Sequence, residues 1–281
     1  MNAMTDIITE NETGHFVQTP LGRVHVAERG GGEQTIVLWP SIFKDHRIYD
    51  ALTDTLGDCY RFLLIDGPAH GLSDGPQEEF SMKECGDVIL KVLDYFKLEE
   101  AVIGGTSWGG LAAAEAALTA PERIKSLILM NTPMEIDGAS PSLSARMIAM
   151  GARWSGRRKF FQNGVAKSFF SEGALQTNAK YKHHFHDMLT LADPKKLATA
   201  VRSVILRGTP LIRRMADLAI PVLVIAGKDD EMYPIKVQAK AALRAPKGHF
   251  APVDGKHISV VECPQTVASL MKQFLNQDTP Q

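Results

Sequence analysis

Three cysteines in 281 residues, Cys59, Cys85 and Cys263, are too few and too scattered for a disulfide framework or a zinc site. A reducing compartment is the simpler reading. No apolar run approaches the roughly 18–20 residues that a membrane span needs. The first residues, MNAMTDIITENETGHF, lack both the basic start and the apolar stretch of a secretory signal. A cytoplasmic chain with no membrane partner is therefore expected. Charge excess is lacking too: 31 Lys and Arg against 32 Asp and Glu leave a net −1, which gives no general attraction to nucleic acid. Repeats and low-complexity segments are absent. The chain does have apolar residues, 44% of the total, enough for one large core with an insertion or for two small domains.

The order of elements points to an α/β chain. Short β-type runs open it, with Pro20-Leu21-Gly22 as a hairpin turn and Gly30-Gly31-Gly32 as the next connection. Apolar strands are predicted at Thr35–Trp39, at YRFLLID (60–66), at EAVIGG (100–105), at IKSLILMN (124–131) and at IPVLVIAGKDD (220–230). Helical spacing fills 81–96, with Ser81 as N-cap, then the run from Ser107 to about Ala120, then 236–243 and 264–275. Near-continuous apolar strands alternating with helices mean a mostly parallel, doubly wound sheet covered on both faces. The alternation breaks once, over 135–218, which holds helical runs rich in Met, Phe and Arg and no clear strand. Asp193-Pro194 opens one of those helices. The expected organisation is a core of 1–134 and 219–281 with a helical cap inserted at 135–218.

The segment Gly105-Thr106-Ser107-Trp108-Gly109 fits G-x-S-x-G, between an apolar strand and a helix. Glycines two positions either side let the chain turn sharply and present the Ser107 hydroxyl at a helix N-terminus, where a developing anion is favoured. Serine is a poor nucleophile at neutral pH, so it needs a base and the base needs an orienting acid. Asp230, at the exit of the 220–230 strand, is the preferred acid over Asp229 and over Glu135 and Asp137 in the loop after the sixth strand. His257, in the loop before the last helix, is the preferred base over His249, which sits on an apolar β-like stretch. The chain order Ser107, Asp230, His257 and their positions after strands suit acyl transfer at the sheet's carboxyl edge.

These motifs together resemble the α/β-hydrolase fold superfamily over nearly the whole chain. GGTSWGG resembles its nucleophile elbow, and GKDDEMYP its acid loop. DGPAHGLSD (66–74) resembles its D-x-x-G-x-G-x-S turn, with Ala69 where the first glycine is usual. GKHISVVECP resembles its G-H-x-x-x-x-E-x-P ending, with Lys256 inserted, and Glu262 and Pro264 in register with His257. Within the superfamily the chain is similar to serine esterases and lactonases with a helical cap, such as enol-lactonases. The resemblance implies an ester or lactone hydrolase working through an acyl-enzyme, needing no cofactor or metal, with a small-molecule substrate. It also implies an oxyanion hole from the N–H groups of Trp108 and Ile42. Many relatives carry His-Gly after the third strand where this chain has Pro40-Ser41, and Pro40 cannot donate. A C–C hydrolase of a diketone, a cofactor-free perhydrolase or haloperoxidase, and a ligand receptor on the same scaffold are the alternatives. A homodimer is compatible with the sequence.

Within the insertion, Met147, Met150, Trp154, Phe160, Phe161, Phe169 and Phe170 are expected either to form the insertion's own core or to wall a substrate pocket. Arg153, Arg157, Arg158 and Lys159 read as a solvated face or as an attractor of a carboxylate. His183, His186 and Asp187 share a helix face at metal-ligand spacing, without a partner cluster elsewhere.

Overall fold

The computed structural model describes residues 12–136, 143–155, 158–177 and 179–277. Eight strands form one sheet in the order β1-β2-β4-β3-β5-β6-β7-β8. β1 (Thr13–Thr19) and β2 (Gly22–Arg29) make an antiparallel hairpin that closes at Thr19 and Gly22, around the turn the sequence predicts. β2 pairs antiparallel with β4 (Tyr60–Ile65). The remaining pairings are parallel and join β4, β3 (Gln34–Trp39), β5 (Ala101–Thr106), β6 (Ile124–Met130), β7 (Val222–Gly227) and β8 (Gly248–Val253). The sheet is thus mostly parallel, as expected. β8 is the strand that the sequence left as an apolar stretch around His249.

β5 and β7 are buried along their whole length, which is why their sequences are apolar without alternation. Helices cover the sheet: α1 (Asp50–Leu56) packs on α11 (Pro264–Gln277), and α2 (Met82–Tyr95) packs on α3 (Trp108–Thr119). α2 begins with a capping box in which Ser81 and Glu84 each satisfy the other's N–H. α3 carries Gly110, Ala113, Ala114 and Ala117 and buries ten of its twelve residues, so it lies close against the sheet. α9 (Ile235–Ala242) packs on β7 and β8.

Between β6 and β7 the described residues form α4 (Leu143–Ser155), α5 (Lys159–Phe169), α6 (Glu172–Thr177), α7 (Ala179–Leu191) and α8 (Pro194–Leu206). Asp193 caps α8 by accepting from the N–H groups of Lys195 and Lys196. No helix among the described residues is long and apolar enough to cross a membrane.

The chain runs from β3 to β4 on one side and returns to β5 on the other. β3 and β5 are therefore neighbours whose connections leave in opposite directions, which opens a crevice at their carboxyl ends. The loops after β3, β5, β7 and β8 meet there.

Candidate active site

Ser107 follows β5 directly and has φ 57 and ψ −112. A left-handed φ is costly for a residue with a side chain, and it persists because both ends are fixed. Its N–H donates to Met130 O at 2.8 Å, and α3 starts at the next residue. The glycines leave the space. A Cβ on Gly109 would lie 1.8 Å from Trp39 O, and one on Gly105 would lie 2.3 Å from the backbone of Gly109. Gly109→Ala is therefore expected to cost roughly 3 kcal/mol or more, because β3 and α3 must separate. Urea unfolding checks this; a variant within about 1 kcal/mol of the parent would mean that the turn opens easily.

His257 lies in the short loop between β8 and α10 (Ser259–Glu262), just after Gly255 at φ 110. Its Nε2 is 2.8 Å from Ser107 Oγ, and its Nδ1 is 2.9 Å from Asp230 Oδ2. An ionised carboxylate only accepts, so Nδ1–H donates to Asp230 and Nε2 is left to accept the Ser107 proton. All three groups are buried. The imidazole is held between the rings of Phe169, stacked at 5.3 Å, and Tyr233, at 5.1 Å.

Asp230 is well supplied with donors. Oδ1 accepts the N–H groups of Met232 at 3.0 Å and Tyr233 at 3.1 Å. Oδ2 accepts Asn131 Nδ2 at 3.0 Å besides His257. Burial alone would raise its pKa. The hydrogen bond and charge of His257, with Asn131 and the Tyr233 N–H, outweigh that and hold it below the usual carboxylate range. Asp229 is exposed, and His249 is exposed on β8 beside Phe274, so neither rival reaches this chain of hydrogen bonds. Asp137, another alternative for the acid, lies outside the described residues.

Sequence reasoning passed over Asn131. It follows β6 at φ 48, bonds Asp230 and Lys256 O through its amide nitrogen, and accepts from Ser259 Oγ at 2.6 Å. One amide thus ties the acid to the histidine loop. An asparagine right after a buried strand was the available signal, since asparagine tolerates the left-handed region.

Trp108 is the first residue of α3, directly after Ser107, so its N–H has no acceptor within the helix. After β3, Phe43 N–H donates to His70 Nε2 at 3.0 Å, and Lys44 N–H donates to Ser41 O. Among the described residues those bonds leave the Ile42 N–H outside the loop's own pairing. His70 holds this loop. Its Nδ1–H donates to Pro68 O at 2.8 Å, and burial pushes its pKa down to about 4, so Nε2 is a lone-pair acceptor for Phe43. Ala69, the residue in place of glycine, takes φ 65 there. Lys44, next along, is buried with its Nζ over the Phe185 ring at 3.6 Å. Burial, only partly offset by the charge of Asp45, lowers its pKa well below the usual lysine value.

A cavity of about 850 Å³ opens on Ser107. Ile42 and Phe43 border it from the β3 loop, and Met147, Phe160, Phe161 and Phe169 border it from α4 and α5. Of the aromatic and Met candidates, Met150 and Trp154 are exposed, and Phe170 is buried against Lys44 instead. Arg153, Arg158 and Lys159 are exposed, and Arg157 lies outside the described residues. His183 Nε2 lies 3.4 Å from Asp187, and among the described residues His186 does not gather with them into a metal-sized group. His25, His46 and Asp66 do come together, but each Nδ1 is 2.9 Å from the Asp66 carboxylate, a hydrogen-bond distance. Cys263 is half-buried, and burial with the nearby Glu262 and Asp254 pushes its thiol up to about 11, which makes it a poor nucleophile.

Known proteins share this arrangement of the chain. The model of the α/β hydrolase fold matches residues 34–264. The chain is similar to a 2-hydroxy-6-oxononadienedioate/2-hydroxy-6-oxononatrienedioate hydrolase of Cupriavidus pinatubonensis, with 28% identity over 84% of this chain and 86% of that protein. It is similar to 3-oxoadipate enol-lactonase 2 of Acinetobacter baylyi, with 25% identity over 77% of this chain and 80% of that one. Its fold superposes on the enol-lactonase from Burkholderia xenovorans LB400 with a TM-score of 0.85. That match covers 93% of this chain and all of that one at 22% identity, a likeness of fold alone.

Proposed function

The chain belongs to the α/β-hydrolase fold family, and from that membership we propose that it is a serine hydrolase of carboxylic esters or lactones. The carrying observation is the unbroken, buried relay of Ser107 Oγ to His257 Nε2 at 2.8 Å and His257 Nδ1 to Asp230 at 2.9 Å, next to the cavity. In this reading Ser107 Oγ bonds to the substrate carbonyl carbon while His257 takes its proton. The N–H groups of Trp108 and Ile42 hold the resulting oxyanion. The carbonyl reforms, the C–O bond to the alcohol breaks, and His257 returns its proton to the leaving oxygen. Water then attacks the acyl-enzyme by the same steps, which releases the acid and restores Ser107. In a lactone the alcohol stays tethered to the acid. Residues 135–218 act as the cap over this site.

The similarity to a 2-hydroxy-6-oxononadienedioate hydrolase supports a second reading, cleavage of a C–C bond in a vinylogous diketone by the same residues. A hydrolysis panel separates them: short-chain p-nitrophenyl esters, γ- and δ-lactones, acyl-homoserine lactones and a vinylogous diketone. The expected result is turnover of esters or lactones, with kcat/KM at least about tenfold above that for the diketone. A preference for the diketone would replace the first reading with the second.

A further inference from the structure

Resting on the serine-hydrolase reading of this site, we propose that the cavity selects neutral acyl groups and rejects those that end in a carboxylate. Glu135 and Glu231 set that selection. The walls are apolar: Ile148, Phe160, Phe161, Val165 and Phe169 come from the helices between β6 and β7, and Ile42 comes from the loop after β3. Four polar side chains besides Tyr233 border the same space. Ser107 and Ser168 are hydroxyls; Glu135 and Glu231 are carboxylates. Ser107 is buried and both glutamates are exposed, so the cavity leads from the nucleophile outward past two negative charges.

None of the described lining residues is Lys, Arg or His. Lys256 Nζ lies 3.5 Å from Glu231, but it does not line the cavity and the pair is exposed, so it offsets that charge only in part. None of the described cations near the site lines the cavity. Lys44 is buried among Phe169, Phe170 and Phe185, and Arg153, Arg158 and Lys159 are exposed.

An acyl chain that ended in a carboxylate would give up its hydration against apolar walls without a cation to replace it. It would also carry its charge toward two like charges. A chain that ended in methyl meets neither cost and gains the burial of its methylenes. The named substrates of the similar proteins, an oxononadienedioate and an oxoadipate lactone, carry carboxylates. This cavity has chemistry of the opposite preference.

The test compares p-nitrophenyl hexanoate with mono-p-nitrophenyl adipate, which differ by a terminal methyl against a terminal carboxylate. With the full chain at low salt, kcat/KM for the hexanoate is expected to exceed that for the half-adipate by about 100-fold or more. The ratio should fall about tenfold in a Glu135→Gln/Glu231→Gln double variant, and it should fall as NaCl rises, since both charges are exposed. A ratio within threefold in the parent overturns the proposal. A large ratio that neither the variant nor salt moves overturns the role of the glutamates. Absence of turnover on both esters counts against the hydrolase reading instead. Calorimetric binding of the same two esters to the full-length Ser107→Ala variant then reads the charge preference without chemistry, with the same threefold limit.

Discussion

Replacing Ser107 by alanine is expected to lower kcat on the best ester of the panel by roughly 10⁴–10⁶-fold. The reason lies in the relay. Ser107 Oγ is the atom within 2.8 Å of His257 Nε2, and without it the imidazole has no nucleophile to deprotonate. What remains is the cavity and, in the proposed mechanism, the N–H groups of Trp108 and Ile42, which would bind and polarise a carbonyl but leave attack to water. The fold should survive, because the turn is held by the backbone bond to Met130 O and by the glycines, not by the hydroxyl. Circular dichroism and a thermal midpoint within about 3 °C of the parent would establish that, as the change removes about one hydrogen bond. A fluorophosphonate should add its mass to the parent and not to the variant. A folded variant that kept a tenth of the activity would end the assignment of Ser107 as nucleophile.

Asp66→Asn is expected to be the largest loss of stability from an isosteric change, about 3–5 kcal/mol. Asp66 follows β4 and is fully buried. One oxygen accepts His46 N–H and His46 Nδ1, each at 2.9 Å. The other accepts His25 Nδ1 at 2.9 Å and Leu72 N–H at 3.0 Å. An asparagine would turn an NH₂ toward two of those donors. The midpoint should fall by about 6–20 °C. The exit loops after β3 and β4, which carry Ile42 and His70, hang on this carboxylate.

The same network sets a pH dependence. Burial raises the Asp66 pKa, but the charge and hydrogen bonds of His46 and His25 outweigh it and hold Asp66 well below the carboxylate range. For His46 burial works downward, yet Asp66 and Glu12 carry it up to about 10. Glu12, again against burial, is brought down to about 2 by His46 and Arg29. The stabilisation from a raised base is complete below the unfolded histidine value of about 6.5 and is lost as pH climbs to about 10. That from the lowered acids is complete above about 4.5 and is lost as pH falls toward about 2. The gap in midpoint between parent and Asp66→Asn should therefore be widest near pH 5.5 and narrow toward pH 9.5. A gap that stayed constant over that range would mean that His46 carries no charge in the folded protein.

The strands were legible because their apolar runs are long and their boundaries are marked by glycine and proline. Thr35–Trp39 begins one residue inside the observed β3, and 100–105 is offset from β5 by one residue at each end. β8 was not, because His249 and Pro252 interrupt its apolar pattern and edge position relaxes the need for burial. Ser107, Asp230 and His257 could be singled out because each sits in a short local pattern after a strand. Asn131 and His70 could not. Asn131 touches Asp230 across 99 residues, and His70 touches Phe43 across 27, so neither has a local pattern that names its partner.

The sequence alone determined the fold class, the single break in strand–helix alternation, and which serine a glycine-lined turn presents, since these depend on periodicity and on side-chain size over a few residues. Only the tertiary structure decided that Asn131 ties the acid to the histidine loop, which loop steadies the Ile42 amide, and that two glutamates and no described Lys, Arg or His border the cavity. Those facts depend on the order of strands in the sheet, and that order brings together residues whose separation along the chain carries no trace of their contact.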